Sequence, residues 1–122
     1  MYDVIPGSEG REIGIAVRGR LTVKDYDSLR ATLEKAIAEH GPLRLLCDMT
    51  AFKSFELGAF WEDFKFSLRH LKDFERMAIV GDQVWIDWWV KIAAPFFSAE
   101  VKLFPPGETA AAWAWLRHSG DG

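Results

Sequence analysis

The residues of this sequence best suited to chemistry are four polar side chains that follow predicted strands, Arg20, Asp48, Thr50 and Asp82. In open sheets of parallel strands, ligands bind at the edge where the strands end. Two carboxylates at that edge could share a proton or a metal ion, but their spacing does not show that they converge. The simpler interpretation is structural, because Asp82 can cap the helix that follows it and Asp48 can cap or tie its loop.

The other reactive side chains form no catalytic or metal-binding pattern. His40, His70 and His118 each lie near a predicted helix end and lack ligand spacing, so we expect solvated helix-end residues. Cys47 lies inside a buried strand, where a cysteine acts as a small core residue; a nucleophilic cysteine needs exposure and a nearby histidine. The sequence contains no glycine-rich phosphate loop and no Gly-x-Ser-x-Gly motif. It therefore predicts no metal and no cofactor, and an enzyme that uses the edge carboxylates is the weakest interpretation.

Aromatic residues are concentrated in the second predicted helix, the loop before it and a tryptophan-rich helix, Val84–Ala94. The tryptophan helix is apolar over more than half of its circumference, which exceeds what one contact with a sheet requires. Only Asp87 and Lys91 form a polar line on it. Core packing accounts for part of this aromatic group, and a pocket, a subunit contact or a partner site is the alternative for the rest. The residues expected at such a site are Phe55, Phe60, Trp61, Trp85, Trp88 and Trp89.

The length, net charge and cysteine count of the chain are those of a single soluble domain. Its 122 residues suit one hydrophobic core, and a net charge of −3 does not suit a nucleic-acid partner. One cysteine allows no intrachain disulfide, the N-terminus has no signal-peptide features, and no apolar run is long enough to span a membrane. We therefore expect a cytoplasmic protein with one domain over residues 1–118 and a disordered tail at 119–122.

The alternation of apolar strand runs and helical stripes predicts an α/β fold with the element order ββαβαβαβα. The predicted strands are Tyr2–Ile5, Glu12–Arg18, Leu43–Met49, Met77–Val80 and Glu100–Phe104, and the predicted helices begin near Thr22, Leu57, Val84 and Thr109. Thr50–Phe55 is expected to be a loop. Right-handed crossovers give a five-stranded, mostly parallel sheet that begins with a hairpin and carries four helices on both faces. Ile15, Leu45, Ile79 and Val101 should occupy central positions.

Two local patterns add detail to this fold. Thr22 and Asp25 have the spacing of a capping box at the start of the first helix, and Gly41 suits its end. In the second strand, Gly14 and Ala16 alternate with larger apolar residues, so they share one face. These small residues would let a helix approach that face closely.

Several stretches together resemble the SpoIIAA-like proteins, small bacterial domains related to STAS domains. They are GRLTVKDYDSL, LLCDMTAF with FELGAFWEDFKFSLRH, FERMAIVGDQVWIDWWVKIAAPFFSAEVKLF and AAAWAWL, and they span essentially the whole chain. The resemblance implies a β-α superhelical domain with strands in nearly sequential order, and it does not imply an enzyme. It also connects the chain with CRAL-TRIO domains, which bind lipids.

The same resemblance implies a phosphorylation site that this sequence matches poorly. STAS anti-sigma-factor antagonists carry an Asp-Ser-Ser-Gly-type site at the start of the second helix, and the matching stretch, Lys53–Gly58, keeps only the glycine. The leading hypothesis is therefore a non-enzymatic module that binds an apolar small molecule, a lipid or a protein partner, including a second copy of itself. The alternative is a regulator of the anti-sigma-factor-antagonist type, switched by phosphorylation near Thr50 or Ser54.

Overall fold

The computed structural model has an α/β fold in which strands and helices alternate along the chain. It describes residues 1–70, 72–82, 87, 91 and 99–118, so the predicted tail at 119–122 lies outside the described residues and stays a prediction. The strands are β1 (Tyr2–Val4), β2 (Glu12–Val17), β3 (Gly19–Leu21), β4 (Leu43–Asp48), β5 (Phe52–Phe55), β6 (Phe74–Val80) and β7 (Glu100–Phe104). The helices within the described residues are α1 (Val23–His40), α2 (Leu57–Arg69) and α3 (Thr109–Arg117).

The main sheet has five strands in the sequential spatial order β1-β2-β4-β6-β7. The first pair is the antiparallel hairpin that the sequence predicted, and the other pairs are parallel, which makes the sheet mixed. Ile15, Leu45 and Ile79 are buried on its three inner strands. Val101 was expected at the centre, but it lies on the outermost described strand, β7, and is only partly buried. Its central placement was therefore wrong.

A second sheet of two strands was not predicted. β3 and β5 pair in parallel, with Leu21 opposite Phe55. The chain leaves the line of β2 at Gly19, whose φ of 62° favours glycine. The prediction of a loop over Thr50–Phe55 was thus wrong for its last four residues. Their partner strand lies some thirty residues earlier in the chain, and periodicity within a segment carries no information about such a pairing.

The ends of α1 form as the sequence predicted. The backbone N of Asp25 donates to Thr22 Oγ1 at 3.1 Å, and the backbone N of Thr22 donates to Asp25 Oδ2 at 3.1 Å. The helix ends at Gly41, where φ is 76°.

The helix count differs from the prediction in the part of the chain that the structure describes. Three of the four predicted helices lie there; Leu71, at the end of the second predicted helix, lies outside it. The fourth, Val84–Ala94, also falls outside except for Asp87 and Lys91, which are helical and exposed. Among the described residues, no helix is long and apolar enough to cross a bilayer.

The main sheet separates two apolar clusters. On one face, the helices α1 and α2 cover the larger cluster, which includes Ile15 and Leu45. On the other face, α3 packs on a smaller cluster that includes Leu46 and Val80. A Cβ atom at Gly14 would lie only 2.6 Å from Cζ2 of the Trp113 ring. The small-residue face of β2 therefore receives a helix at close range, as the sequence predicted.

Candidate functional site

A cavity of about 520 Å³ lies within the larger apolar cluster, on the face of the main sheet that carries α1 and α2. Its volume falls within the range of small-molecule sites in proteins. Side chains from the sheet, both helices and the second sheet line it, among them Val17, Leu29, Ile79, Phe55, Ala59 and Phe66. Lys53, Ser54 and Phe60 also line it and are exposed, so the cavity opens to solvent where β5 leads into α2.

The outer wall of the cavity is α2, and its position is fixed by its contacts with the start of α1. The backbone N of Val23 donates to Glu56 Oε1 at 2.7 Å, so the residue before α2 satisfies a free amide at the N-terminus of α1. A Cβ atom at Gly58 would lie 2.7 Å from Val23 Cγ2. The glycine therefore allows the first turns of the two helices to meet. Ion pairs from Arg30 to Glu62 and from Arg69 to Glu34, at 3.8 Å and 3.7 Å, join the helices further along.

This attachment turns the most apolar stripe of α2 outward. The exposed residues of the stripe are Leu57, Phe60, Trp61, Phe64 and Leu68. The buried side of the helix is formed by Ala59 and Phe66. Trp61 and Phe64 of this stripe stack on each other with centroids 5.6 Å apart, and Phe60 stacks on Phe55 of β5 with centroids 5.3 Å apart.

The predicted aromatic site residues therefore divide into three groups. Phe55 and Phe60 line the cavity, and Trp61 lies on the exposed stripe outside it. Trp85, Trp88 and Trp89 lie outside the described residues, and their role stays a prediction.

Tyr26, Asp63 and Cys47 are three of the polar side chains that line the cavity. The Tyr26 hydroxyl donates to Asp63 Oδ1 at 2.7 Å, and the Cys47 thiol lines the same space. Burial raises the pKa of Asp63 above its ordinary value of 3.8, and the hydrogen bond from Tyr26 offsets this only in part. Burial, reinforced by the nearby Asp63 and Asp48 carboxyls, also raises the pKa of Cys47 to about 12. The thiol therefore stays protonated at neutral pH, which agrees with its interpretation as an unreactive core residue.

Sequence reasoning missed Tyr26 and Asp63 as site residues. Asp63 shares one helical face with Ala59 and Phe66, at spacings of four and three residues. That face is weaker in apolar content than the stripe of Phe60 and Phe64, so periodicity favoured the wrong side. The two adjacent carboxylates, Glu62 and Asp63, inside a strongly aromatic helix were the signal that could have drawn attention to this face.

The pKa shift of Asp63 predicts an unusual pH dependence of stability. Well below the ordinary pKa of 3.8 the carboxyl is protonated in both the folded and the unfolded chain. As the pH rises, the unfolded chain releases this proton first, because the folded-state pKa is raised. The free energy of unfolding therefore falls as the pH rises through this window. We expect Asp63→Asn, which keeps an oxygen that can accept from Tyr26, to be more stable than the wild type at neutral pH and equal to it at low pH.

Urea melts of both proteins between about pH 3 and pH 8 measure this difference. The matched control is Glu62→Gln on the same helix. Lys65 and Arg30 lower the pKa of Glu62, so this control should show no gain at neutral pH. If the free energy of unfolding changes with pH in the same way for the wild type and Asp63→Asn, the prediction is contradicted.

The predicted polar edge residues do not all meet at one place. The backbone N of Thr50 donates to Asp48 Oδ1 at 3.0 Å, so Asp48 ties its loop, as the structural interpretation expected. Arg20 lies in β3 with Ser54 as its partner in β5. Asp82 is exposed, and the helix that it was predicted to cap lies outside the described residues. Among the described residues, no group of three or more His, Cys, Asp or Glu side chains could hold a metal ion.

One of the three histidines departs from its predicted role. His40 and His118 are exposed, but the ring of His70 is largely buried. Its Nδ1 lies 2.6 Å from Asp73 Oδ2 and its Nε2 lies 3.3 Å from Glu34 Oε2. The interpretation of His70 as a solvated residue was therefore wrong, because it links the end of α2 to α1.

Comparisons with known proteins place this geometry in a family. Residues 13–117 match the family model described as SpoIIAA-like. A crystal structure of an uncharacterized protein of the DUF3478 family with a SpoIIAA-like fold, from Shewanella loihica PV-4, is 29% identical. It has a TM-score of 0.76 and covers 95% of this chain and 92% of its own.

A more distant likeness extends to an anti-sigma factor antagonist. The structure of SpoIIAA in its unphosphorylated form is 9% identical, has a TM-score of 0.60 and covers 91% of this chain and 96% of its own. This likeness shows a shared fold alone. No curated protein matches the sequence. On the strength of the match over residues 13–117, the chain belongs to the SpoIIAA-like family.

Proposed function

We propose that this protein is a non-enzymatic binding module that takes an apolar small molecule or a lipid into the cavity behind α2. The observation that carries the proposal is the cavity itself, about 520 Å³ in volume and lined, among the described residues, mainly by apolar side chains. Protein interiors normally contain few voids larger than a water molecule. Side chains around an unfilled space lose dispersion contacts on one side, and an apolar ligand would restore them.

The gain available from such a ligand is large enough for useful affinity. Each buried methylene contributes roughly 0.8 kcal/mol, so a chain of about ten methylenes would gain on the order of 8 kcal/mol. Association and ordering of the ligand offset part of this gain. A rigid, preformed wall of strands β2, β4 and β6 keeps those costs low on the protein side. Because about 8 kcal/mol corresponds to a Kd of about 1 μM before these costs, we expect affinities in the micromolar range or weaker for ligands of this size.

The exposed stripe of α2 supports a second form of the same proposal, in which the module binds a protein partner. Large apolar side chains that lie together on a surface mark protein or membrane contacts more often than isolated ones do. Trp61 and Phe64 stack there beyond the cavity, so they are available to a second molecule. Phe60 lines the cavity as well as belonging to the exposed stripe. A ligand in the cavity and a partner on the stripe would therefore contact the same ring.

Native mass spectrometry of protein purified without denaturation tests the ligand form. We expect a bound apolar molecule in the wild type and in Cys47→Ala, which keeps the cavity open. Cys47→Phe fills part of the space, so its uptake should fall about tenfold or more while a urea melt still shows a cooperative transition. A consistently empty wild-type protein that also fails to take up added apolar probes would contradict the proposal.

A second candidate function, a switch by phosphorylation, is favoured by the surroundings of Ser54. Thr50 and Ser54 are exposed, and Ser54 is the strand partner of Arg20 in the second sheet. A phosphate on Ser54 would lie near that cation and beside the cavity that Ser54 lines. Phosphopeptide mass spectrometry of the source cells is the test. Unmodified Thr50 and Ser54 under every growth condition sampled would argue against this candidate.

A further inference from the structure

We infer that Asp63 and Tyr26 select the head group of the ligand, favouring an apolar molecule that carries an amine or a hydroxyl over one that carries a carboxylate. The inference rests on the proposed function, because it names the chemistry of the molecule that the cavity takes. It concerns two side chains that no sequence motif identified. The geometry of the pair and the surrounding walls supports it.

The Tyr26–Asp63 pair presents hydrogen-bond acceptors to the cavity. The Tyr26 hydroxyl donates its hydrogen bond to Asp63 Oδ1, at 2.7 Å. When Asp63 is ionised, the hydrogen-bonding groups that remain free in the pair are Asp63 Oδ2 and the lone pairs of the Tyr26 oxygen. All of these are acceptors. Among the described residues, Asp63 makes no ion pair and no hydrogen bond beyond the one from Tyr26. A donor from the ligand would satisfy these acceptors.

The charges around the cavity favour the same class of ligand. The titratable residues that line it within the described chain are Tyr26, Cys47, Lys53 and Asp63. Lys53 is exposed, which leaves Asp63 as the acid within the apolar walls. An isolated carboxylate in apolar surroundings is costly unless it is paired, and burial accordingly raises the pKa of Asp63.

The three head groups differ in what they offer to this carboxylate. An ammonium group supplies both donors and a compensating charge, and charge-assisted hydrogen bonds are about twice as strong as neutral ones. A hydroxyl supplies one donor without charge. A carboxylate supplies only acceptors and repels Asp63. The expected order of affinity is therefore amine, then alcohol, then carboxylate.

Three probes of equal chain length test the order directly on the wild type. Dodecylamine, dodecanol and dodecanoate are titrated below their micelle-forming concentrations or solubility limits against a fluorescent neutral naphthyl probe in the cavity. We expect dodecylamine to bind about tenfold tighter than dodecanoate, with dodecanol between them. Asp63→Asn should lose the preference for the amine and leave dodecanol binding within about twofold.

Glu62→Gln is the matched control, because Glu62 lies next to Asp63 in the chain, pairs with Arg30 and Lys65, and is not among the residues that line the cavity. It should keep the wild-type order. Equal affinities for the three probes, or tightest binding of dodecanoate, would overturn the inference and leave the proposed function standing. Failure of the wild type to bind any of the three probes would count against the proposed function itself. If Asp63→Asn does not fold, equal or reversed affinities in the wild-type series still overturn the inference.

Discussion

Replacing Arg44 by alanine is expected to lower the free energy of unfolding by about 2–4 kcal/mol, because it removes a buried guanidinium and leaves two backbone carbonyls without their donor. Arg44 is buried on β4, and its Nε donates to Glu75 Oε1 at 3.0 Å. Its Nη1 donates to the backbone oxygens of Leu116 and His118, at 2.9 Å and 2.8 Å. One guanidinium therefore satisfies an acid and two carbonyls at the C-terminal end of α3.

Those carbonyls are among the groups that a helix cannot satisfy by itself, and the positive charge also suits the negative end of the helix dipole. Arg76 stands beside Arg44 in the sheet register, and its Nη1 donates to the backbone oxygen of Trp115 at 2.6 Å. Removal of Arg44 leaves the backbone carbonyls of Leu116 and His118 without the donor that its guanidinium supplies. Arg44→Met, which restores apolar volume, should therefore recover only part of the loss.

Urea melts at one pH compare these variants with Arg11→Ala. Arg11 is the natural control, because it also pairs with Glu75, at 3.2 Å, but from an exposed position. Exposed ion pairs contribute about 0–1 kcal/mol, so Arg11→Ala should shift the midpoint little. If Arg44→Ala and Arg11→Ala lose similar amounts of stability, the carbonyl contacts of Arg44 do not anchor α3 as the structure indicates.

The sequence could predict what depends on neighbouring residues and could not predict what depends on distant ones. The capping box of Thr22, the glycine end of α1 and the alternation in β2 are local patterns, and the structure confirms each of them. Arg44 appeared in the sequence as a polar exception in an apolar strand. Its partner Leu116 is 72 residues away, so no pattern within the strand could identify the contact.

The candidate site shows the same limit. Phe55 and Phe60 were predicted and do line the cavity. The cavity itself arises from the pairing of β3 with β5 and from the docking of α2 on α1, neither of which leaves a local signal. Asp63 was missed because the helical stripe with the highest apolar content was taken to be the important one, whereas Gly58 and Glu56 fix the rotation of α2.

The rotation of α2 about its axis leads to the second prediction with a large effect. Two phenylalanines of this helix should differ strongly in how much they contribute to the free energy of unfolding. Phe66 is 4% exposed and Phe64 is 47% exposed. The Phe66 ring packs edge-on against Tyr26 and Phe74, with centroid distances of 6.4 Å and 6.2 Å, and lies 4.5 Å from the His70 ring. Phe66→Ala should cost about 3–5 kcal/mol of stability, whereas Phe64→Ala should stay within about 0.5 kcal/mol of the wild type.

The comparison is decisive because helical periodicity alone favours the reverse outcome. Phe64 belongs to the stripe of Leu57, Phe60, Trp61 and Leu68, and a helix that buried this stripe would lose most from Phe64→Ala. Urea melts of the two variants, with slopes compared to confirm the same two-state transition, separate the two orientations of α2. A larger loss for Phe64→Ala would mean that the stripe faces the core, and α2 would then no longer offer Asp63 to the cavity. The expected result instead leaves the stripe free for a partner and keeps the Asp63 carboxyl on the inner face, where a ligand can reach it.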